Sequence, residues 1–494
     1  MQPISDRKSS TAQILKASAI IGGSSTFTIV SGIVKSKVMA VLLGPEGIGL
    51  LGLLQSVLNT AGTVSGMGLA ASGVRQIAEA KASGDTDYLA HTHIALWWSA
   101  VITGLLGALL LIILRQPVTR LVIGADGYAG AITWLAAGVW ATTVSGAQTA
   151  ILNGLRYLGD LARVYILSAL GGMLIAVLAV WQWREAGIAV AVVSTPLVLL
   201  VVSWHYTRRI VKIRIHATWQ AVSKPLRGLF SLGFTFMITN LIRTASQFAV
   251  RVLITGTLGV TATGHFQAAW SISALYLGFI LESMGKDFYP RLTAVADDRK
   301  TANTLVNDQA ELALLLGAPV ILGMLTLTSQ VVSILYSGVF GETVGILRWQ
   351  FLGDLFKVAS WTMGFLLLAQ GRSRLFFTTE LSWNLMYLGL VWGGLPIWNL
   401  KATGIAYFLT HTFYFFLLWI IIFRVNRFYW RKTNLILLIV LMSCAAIISW
   451  ARLFPGIVPL VLGLTLTLAM GSYSCLRIYR LLGGWPWIYF KKRS

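Results

Sequence analysis

The stretch RVYILSALGGMLIAVLAVWQWREAGIAVAVVSTPLVLLVVSWHYTRR, residues 163–209, decides the fold of this chain. Two apolar runs, 163–181 and 187–206, flank a short gap that contains Arg184 and precede the pair Arg208–Arg209. A helix of about 20 apolar residues crosses the hydrocarbon core of a bilayer. Each run therefore predicts a membrane-spanning helix, with Arg184 on one side of the membrane and the arginine pair on the other.

The same pattern fills the chain, of which 56% is hydrophobic and only 11% charged. We predict about fourteen membrane-spanning helices from the apolar runs. Their approximate limits are 12–34, 48–72, 92–114, 128–152, 163–181, 187–206, 230–256, 264–286, 308–336, 343–370, 375–398, 402–424, 433–453 and 457–478. The sequence thus indicates an all-α polytopic membrane protein.

Lys and Arg concentrate in every second gap between these runs. Of the 39 Lys and Arg residues, 28 fall in gaps that are internal if the chain starts inside, and 6 fall in external gaps. Cytoplasmic loops of membrane proteins are enriched in Lys and Arg. We therefore predict that both termini are cytoplasmic, and we attribute the net charge of +22 to topology, with no role in nucleic-acid binding.

The sequence lacks the motifs and the polar domain that an enzyme would be expected to carry. The largest polar segments, about 207–229 and 287–307, are too short to bury a core of their own. HExxH, GxSxG and P-loop motifs and paired metal-ligand spacings are absent from the sequence, and Cys444 and Cys475 lie in apolar runs. We expect a transporter without catalytic residues, cofactor or metal site, and leave open its coupling to protons or sodium ions.

A weak internal repeat relates the two halves of the chain. Residues 37–55, which include Gly49, resemble residues 251–267, which include Gly264. Six predicted helices separate the copies, so both start inside, as expected for parallel repeats. We predict two six-helix lobes in a pseudo-twofold arrangement around a central cavity, working by alternating access. The predicted regions are an N-lobe over 1–228, a C-lobe over 229–430, and two added helices with a basic tail over 431–494.

The seventh predicted helix carries four polar residues on one face. Asn240, Arg243, Gln247 and Arg251 are three or four residues apart, so they share a helical face over about 16 Å. Charged residues within a membrane span are energetically costly and usually functional. We expect Arg243 and Arg251, with Gln247 between them, to face an anionic substrate in the cavity.

The tenth predicted helix repeats this arrangement with Gln350, Asp354, Lys357 and Trp361. Asp354 and Lys357 are three residues apart, which allows them to pair. They could bind substrate or a coupling ion, or they could only neutralise each other for packing.

Two other helices carry charges whose roles the sequence leaves open. On the first helix, Lys35 continues a polar stripe and Lys37 lies nearly opposite, so only one of the two should face the cavity, unless both extend to the outer interface. On the eighth helix, Glu282 is expected to be a buried acid. It could couple transport to a proton gradient or serve as the counter-ion of a nearby arginine.

A cavity lined by Arg and Lys favours an anion, and guanidinium groups suit phosphate oxygens. The first six predicted helices carry no Asp or Glu near their centres, which argues against a carrier of organic cations. The sequence therefore indicates a phosphorylated or otherwise acidic substrate.

Two motifs then resemble a known family. They are Lys37-x-x-Ala40-x-x-x-Gly44-Pro45-x-Gly47-x-Gly49 and Trp349-Gln350-x-x-Gly353-Asp354-x-x-Lys357. Both resemble the Wzx-type flippases of lipid-linked oligosaccharides, which include O-antigen and enterobacterial common antigen translocases of the multidrug/oligosaccharidyl-lipid/polysaccharide (MOP) exporter superfamily. The similarity in helix order extends over about residues 12–425.

The resemblance implies a MOP fold (MATE/MurJ-like) and a function. The expected substrate is an undecaprenyl-pyrophosphate-linked oligosaccharide, flipped from the cytoplasmic to the periplasmic leaflet of the bacterial inner membrane for O-antigen or other surface polysaccharide assembly. Polysaccharide polymerase machinery is a conceivable partner. The resemblance also favours Lys37 over Lys35 as the cavity residue.

The two added helices depart from the usual twelve and resemble those of peptidoglycan-precursor (lipid II) flippases. A lipid II flippase is therefore the main alternative. A membrane polysaccharide polymerase or ligase is less favoured, since no external gap holds a large catalytic loop. An exporter of small molecules is less favoured because the first lobe lacks carboxylates near the centres of its helices.

Overall fold

The computed structural model describes residues 4–124, 126–210 and 219–481. Within them the chain forms sixteen α-helices, two short 3-10 turns and no β-strand. The helices are α1 Ile4–Gly66, α2 Leu69–Ala82, α3 Thr86–Ile113, α4 Arg115–Ile123, α5 Ala129–Gly154, α6 Leu158–Trp183, α7 Ile188–Ile210, α8 Trp219–Leu258, α9 Val260–Ala294, α10 Arg299–Thr326, α11 Thr328–Leu335, α12 Gly341–Ala369, α13 Ser373–Trp398, α14 Lys401–Asn426, α15 Lys432–Ala451 and α16 Val458–Leu481.

The predicted all-α membrane architecture is confirmed, since each predicted span coincides with helical structure. In the described part of the chain, nine helical segments, or ten with one bent pair, are long and apolar enough to cross a membrane. One of these segments, Leu158–Ile210, contains both α6 and α7. The predicted span 308–336 divides into α10 and the short α11.

The first two predicted spans form one element, α1, which has a kink inside the gap that the sequence predicts between them. Within α1, Gly44 has a φ of 67° and a ψ of −169°, outside the helical region, and Pro45 follows it. Glycine reaches a positive φ without a steric penalty, and proline fits the first turn of the second half. The chain therefore bends at Gly44 and continues as helix on both sides.

The described chain packs into two compact units, residues 1–264 and 265–494. In unit 1, α5 packs against α3 and α7, and α1 against α6 and α8. In unit 2, α12 packs against α10 and α14, and α10 also packs against α15 and α16. The lobes predicted over 1–228 and 229–430, with an added region over 431–494, were defined by the repeat and stay a prediction.

The start of one helix in each unit carries the same cap. Asp85 precedes α3 and accepts hydrogen bonds from the amides of Asp87 and Tyr88, both at 2.9 Å. Asp298 precedes α10 and accepts from the amides of Lys300 and Thr301. Such caps satisfy amides that have no partner within the helix. The Thr301 hydroxyl and amide also lower the pKa of Asp298.

The C-terminal ends of α5 in unit 1 and α12 in unit 2 also have the same geometry. After α5, the Tyr157 amide donates to the Leu152 carbonyl at 2.9 Å, and Arg156 has a φ of 61°. After α12, Arg372 donates to Leu367 at 2.9 Å, and Gly371 has a φ of 68°. Both are Schellman-type ends. With the caps of α3 and α10, they show that helices α3–α7 and α10–α14 are built on one plan.

Unit 2 holds the added helices α15 and α16 through buried polar contacts with α10. Glu311 is 2% exposed and pairs with Arg477 of α16 at 2.8 Å and with Arg431 at 3.6 Å. Asn434 of α15 donates to the Asn307 carbonyl at 2.8 Å. A buried carboxylate needs such partners. The two added helices are therefore an integral part of unit 2.

The repeat-related glycines Gly49 and Gly264 touch each other within unit 1. A Cβ atom on Gly264 would lie 1.7 Å from the Pro45 carbonyl oxygen, and one on Gly49 would lie 2.1 Å from the Val260 carbonyl oxygen. Both obstacles are backbone atoms, which cannot rotate away as a side chain can. The contact between α1 and the start of α9 thus requires glycine on both sides.

We predict that Gly264→Ala destabilises the protein by about 1–3 kcal/mol, because overpacking at this contact forces the backbones apart. Gly256→Ala on α8 is the matched control, since a Cβ there meets nothing within 4 Å. The unfolding midpoint of the purified protein in detergent measures both. Equal midpoints for the two variants would contradict a required glycine contact.

Candidate functional site

Asp354 of α12 is fully buried in unit 2, where it accepts hydrogen bonds from three hydroxyl groups. Ser273 and Tyr276 of α9 both donate to Oδ2, the former at 3.2 Å. Tyr407 of α14 donates to Oδ1 at 2.8 Å. Three donors satisfy a buried carboxylate well. We call Ser273, Tyr276, Asp354, Lys357 and Tyr407 the Asp354 network.

Lys357 joins this network through Tyr407. Its Nζ atom donates to the Tyr407 hydroxyl at 3.1 Å and lies 5.7 Å from the centre of that ring. The described contacts of Asp354 and Lys357 include no ion pair within 4 Å, so the direct pairing that their spacing allows is not formed. The reason is that the hydroxyl of α14 lies between the two charges, accepting from the ammonium and donating to the carboxylate.

An aromatic wall surrounds Tyr407. The ring of His411 lies 4.5 Å from that of Tyr407 and 5.2 Å from that of Trp383, measured between centroids. Trp270 and Tyr387 lie 6.1 Å and 6.3 Å from Tyr407. These ring contacts hold the Tyr407 ring in place. The sequence carries no spacing signal that links these residues, because they come from three different helices.

Two buried polar side chains beside the network have no hydrogen-bond partner among the described residues. They are His411, at both ring nitrogens, and Gln350, at both amide atoms. Gln350 is fully buried one turn before Asp354 on α12. Buried polar groups are normally paired, so these two mark a place where water or an ion would find partners.

The basic residues of α8 lie in unit 1 and differ in burial. Arg243 is exposed and reaches the Asn240 side chain at 3.4 Å. Arg251 is only 5% exposed and donates to the Gln247 carbonyl at 2.9 Å, while Gln247 itself is half-buried. Arg243 is thus the accessible cation of this face. The proposed role of all three residues in substrate binding stays a prediction.

The structure separates the two lysines of the first helix. Lys35 donates to the Ala191 carbonyl of α7 at 3.1 Å, so it takes part in helix packing inside unit 1. Lys37 is half-buried. The choice of Lys37 over Lys35 as the cavity residue stays a prediction.

Glu282 is not the buried acid that the sequence predicted. Its side chain is 73% exposed and pairs with Lys286, one turn later on α9, at 3.2 Å. The spacing of four residues brings the two side chains together on the exposed face of the helix. Asp354, and not Glu282, is therefore the buried carboxylate of the two.

Sequence comparison connects the chain to polysaccharide assembly. Residues 38–344 match the profile of the family described as polysaccharide biosynthesis protein. The chain is 24% identical over 428 residues to the lipid III flippase of Escherichia coli (strain K12), covering 82% of this chain and 99% of that protein. The lipid III flippase of Shigella flexneri matches with the same identity and coverage.

Comparison with solved structures identifies the fold. The lipid II flippase MurJ in its inward closed conformation aligns over 94% of this chain and 99% of its own, with a TM-score of 0.71 and 14% identity. An inward-facing multidrug resistance MATE transporter of the MOP superfamily aligns over 82% of this chain and 96% of its own, with a TM-score of 0.67 and 15% identity. The predicted MOP fold is confirmed.

We predict that Tyr407→Phe destabilises the protein by about 1–3 kcal/mol, because it removes the hydroxyl between the buried carboxylate of Asp354 and the half-buried ammonium of Lys357. Tyr429→Phe is the control, since Tyr429 is 65% exposed. Thermal unfolding in detergent measures the difference. If both variants unfold at the wild-type temperature, the bridge between Asp354 and Lys357 contributes nothing to the fold.

Proposed function

The chain belongs to the polysaccharide biosynthesis protein family, and from this membership we propose that it flips an undecaprenyl-pyrophosphate-linked oligosaccharide to the outer leaflet of a bilayer. The observation that carries the proposal is the match to lipid III flippases over 99% of their length. The MOP fold adds support, because its solved members include transporters of several kinds. A transporter needs no catalytic residues.

A lipid-linked oligosaccharide needs a protein to move its polar glycan across a bilayer. A hydrated glycan cannot cross hydrocarbon unaided, because each hydroxyl without a partner costs several kcal/mol there. A polar path through the protein lowers that barrier. Within unit 1, the exposed guanidinium of Arg243, with Arg251 and Gln247 on the same helix, is suited to the pyrophosphate, and Lys37 is a further cation proposed for substrate binding. Lys357 of unit 2 is proposed separately as a substrate-binding cation.

The direction and location belong to the same proposal. The excess of Lys and Arg in alternate loops supports a multi-pass protein of the bacterial inner membrane with both termini in the cytoplasm. Transport then runs from the cytoplasmic to the periplasmic leaflet, where polysaccharide polymerase machinery would take over the product.

The Asp354 network is our proposed coupling element. It is buried, it contains an acid and a base joined by one hydroxyl, and unpartnered polar atoms lie beside it. A proton or sodium ion that binds there would change the charge balance inside unit 2. Glu282, which is exposed, is the second candidate.

A lipid II flippase is the alternative substrate assignment. It is supported by the alignment with MurJ over 94% of this chain, a share that the MATE match at 82% does not reach. Depletion of the protein in its host separates the two. Loss of a surface polysaccharide with accumulation of its complete lipid-linked repeat unit on the cytoplasmic side supports our proposal, whereas accumulated peptidoglycan precursor supports the alternative.

We predict that Arg243→Ala lowers flipping in reconstituted vesicles by about tenfold or more, because a charge-assisted contact to pyrophosphate is lost. Arg115→Ala is the matched control, as Arg115 is another exposed arginine of unit 1, at the start of α4. The fraction of lipid-linked oligosaccharide that an external enzyme can reach measures flipping. Equal rates in both variants would exclude Arg243 from the substrate path.

We predict that Asp354→Asn removes the dependence of flipping on a proton or sodium gradient, since the amide keeps the shape of the side chain but cannot carry its charge. Vesicles with and without an imposed gradient of each ion measure the effect. Glu282→Gln is tested in parallel. If that variant alone loses the dependence, coupling occurs at the exposed carboxylate instead.

A further inference from the structure

Unit 2 contains a second polar site, a cavity of about 820 Å³ that shares no lining residue with the Asp354 network. It lies between α11, the start of α12 and the connection from α13 to α14. The distribution of Lys and Arg predicts that these helix ends are external. We call it the α11–α14 pocket.

The backbone of the α13–α14 connection shapes this pocket. Asn399 has a φ of 47°, so the chain turns sharply after α13, and Lys401 begins α14 immediately afterwards. The stem of Lys401 lies over Gly345 of α12, where a Cβ would be 3.5 Å from its Cε atom. Lys401 and Arg348, the latter one turn beyond Gly345, both line this cavity.

Both cations of the α11–α14 pocket are uncommitted. Arg348 is half-buried, and its Nε atom is buried with no hydrogen-bond partner among the described residues. Neither Arg348 nor Lys401 forms an ion pair with a described residue, although Glu342 also lines the pocket. The buried Ser337 hydroxyl lacks a described partner as well. Unpaired buried donors are costly, and an oxyanion would satisfy them.

The corresponding cavity of unit 1 lacks the two cations that line the α11–α14 pocket. Unit 1 has a cavity of about 400 Å³ in the corresponding place, between the start of α5 and the connection from α6 to α7. That connection contains Arg184 with a φ of 49°, close to that of Asn399. The described lining of the unit 1 cavity includes Glu185 and neither Lys nor Arg.

The charged residue in the described lining of the unit 1 cavity is the acid Glu185. Burial and the nearby carboxylates of Glu185 and Glu46 raise the pKa of the Tyr128 phenol, which lines it. The two units thus share a cavity at the same place and differ in the sign of its charge. Arg348 and Lys401 are a property of unit 2 alone.

The remaining lining suits a sugar. Trp398 lines the pocket, is 48% exposed and carries a large aromatic ring, while Asn399 and Ser337 carry hydrogen-bonding groups. Pockets of about 300–1,000 Å³ accommodate small organic ligands. We propose that the α11–α14 pocket binds a sugar that carries a carboxylate or phosphate group, with the oxyanion at Arg348 and Lys401 and the ring against Trp398. This site goes beyond the proposed flipping function and does not depend on it.

The test uses the full-length protein in nanodiscs of phosphatidylcholine, titrated with glucuronate in a calorimeter. We expect saturable binding, with glucose bound about tenfold more weakly or worse because it lacks the charge. Arg348→Gln and Lys401→Gln should each weaken glucuronate binding about tenfold, the loss expected for a charge-assisted contact. Arg115→Gln, at an exposed arginine of unit 1, should bind as the wild type does.

A phospholipid headgroup presents the same oxyanion without a sugar ring, so glycerol 3-phosphate is the second probe. Trp398→Leu should weaken glucuronate binding and leave glycerol 3-phosphate binding unchanged, because only the sugar ring packs on the indole. If glycerol 3-phosphate binds as well as glucuronate, and phosphatidylglycerol nanodiscs abolish both, the occupant is a lipid headgroup and the sugar assignment is wrong.

Absence of saturable glucuronate binding, or equal binding in wild type and both charge variants, would overturn the proposal. Arg348→Lys keeps a positive charge and guards against misfolding of Arg348→Gln, and we expect it to bind glucuronate more tightly than Arg348→Gln does, within about threefold of the wild type. Flipping is assayed separately in vesicles. A protein that binds glucuronate but does not flip would retain this site and lose the proposed function.

Discussion

Polar groups inside a bilayer must find partners within the protein, because each unpaired group costs several kcal/mol in hydrocarbon. The described backbone meets this constraint with helices throughout. The side chains meet it locally: Asp354 takes three hydroxyl donors, and Lys35 takes a backbone carbonyl of α7. Glu311 meets it by binding two arginines, which fixes the added helices α15 and α16 to unit 2. The hydrogen bonds and ion pairs of Asp354, Lys35 and Glu311 all satisfy this one requirement.

The internal repeat preserves the backbone more closely than the chemistry. Helix caps at Asp85 and Asp298 and sharp turns at Arg184 and Asn399 recur at corresponding places, because they define where helices begin and end. Apart from these caps, charged side chains differ between the units: the buried acid Asp354 belongs to unit 2, and the pockets at the corresponding helix ends differ in their charged lining residues. A duplicated scaffold can thus supply the same helix geometry twice while each copy specialises in binding.

The sequence predicts the helices well because a long apolar run has few alternatives in a membrane. It predicts the contacts of charged residues poorly. The spacing of Asp354 and Lys357 suggests a direct pair, but Tyr407, about fifty residues later, decides how they are joined. The exposure of Glu282 likewise depends on which face of α9 packs against neighbours. The predicted gap between the first two spans contains Gly44, whose non-helical backbone breaks α1 at that place, so the sequence located the kink but overestimated the length of the gap.

The hydroxyl bridge has a mechanical consequence. Asp354 and Lys357 lie on one helix, α12, but Tyr407 belongs to α14, so the balance of charge on α12 depends on the position of its neighbour. A change of one charge at Asp354 leaves the ammonium of Lys357 without its counterpart in a region of low dielectric, where such an imbalance is costly. The Tyr407 ring is packed against Trp270, Trp383 and His411 and cannot move alone. The position of the Tyr407 hydroxyl between Asp354 and Lys357 therefore depends on how α14 packs in unit 2.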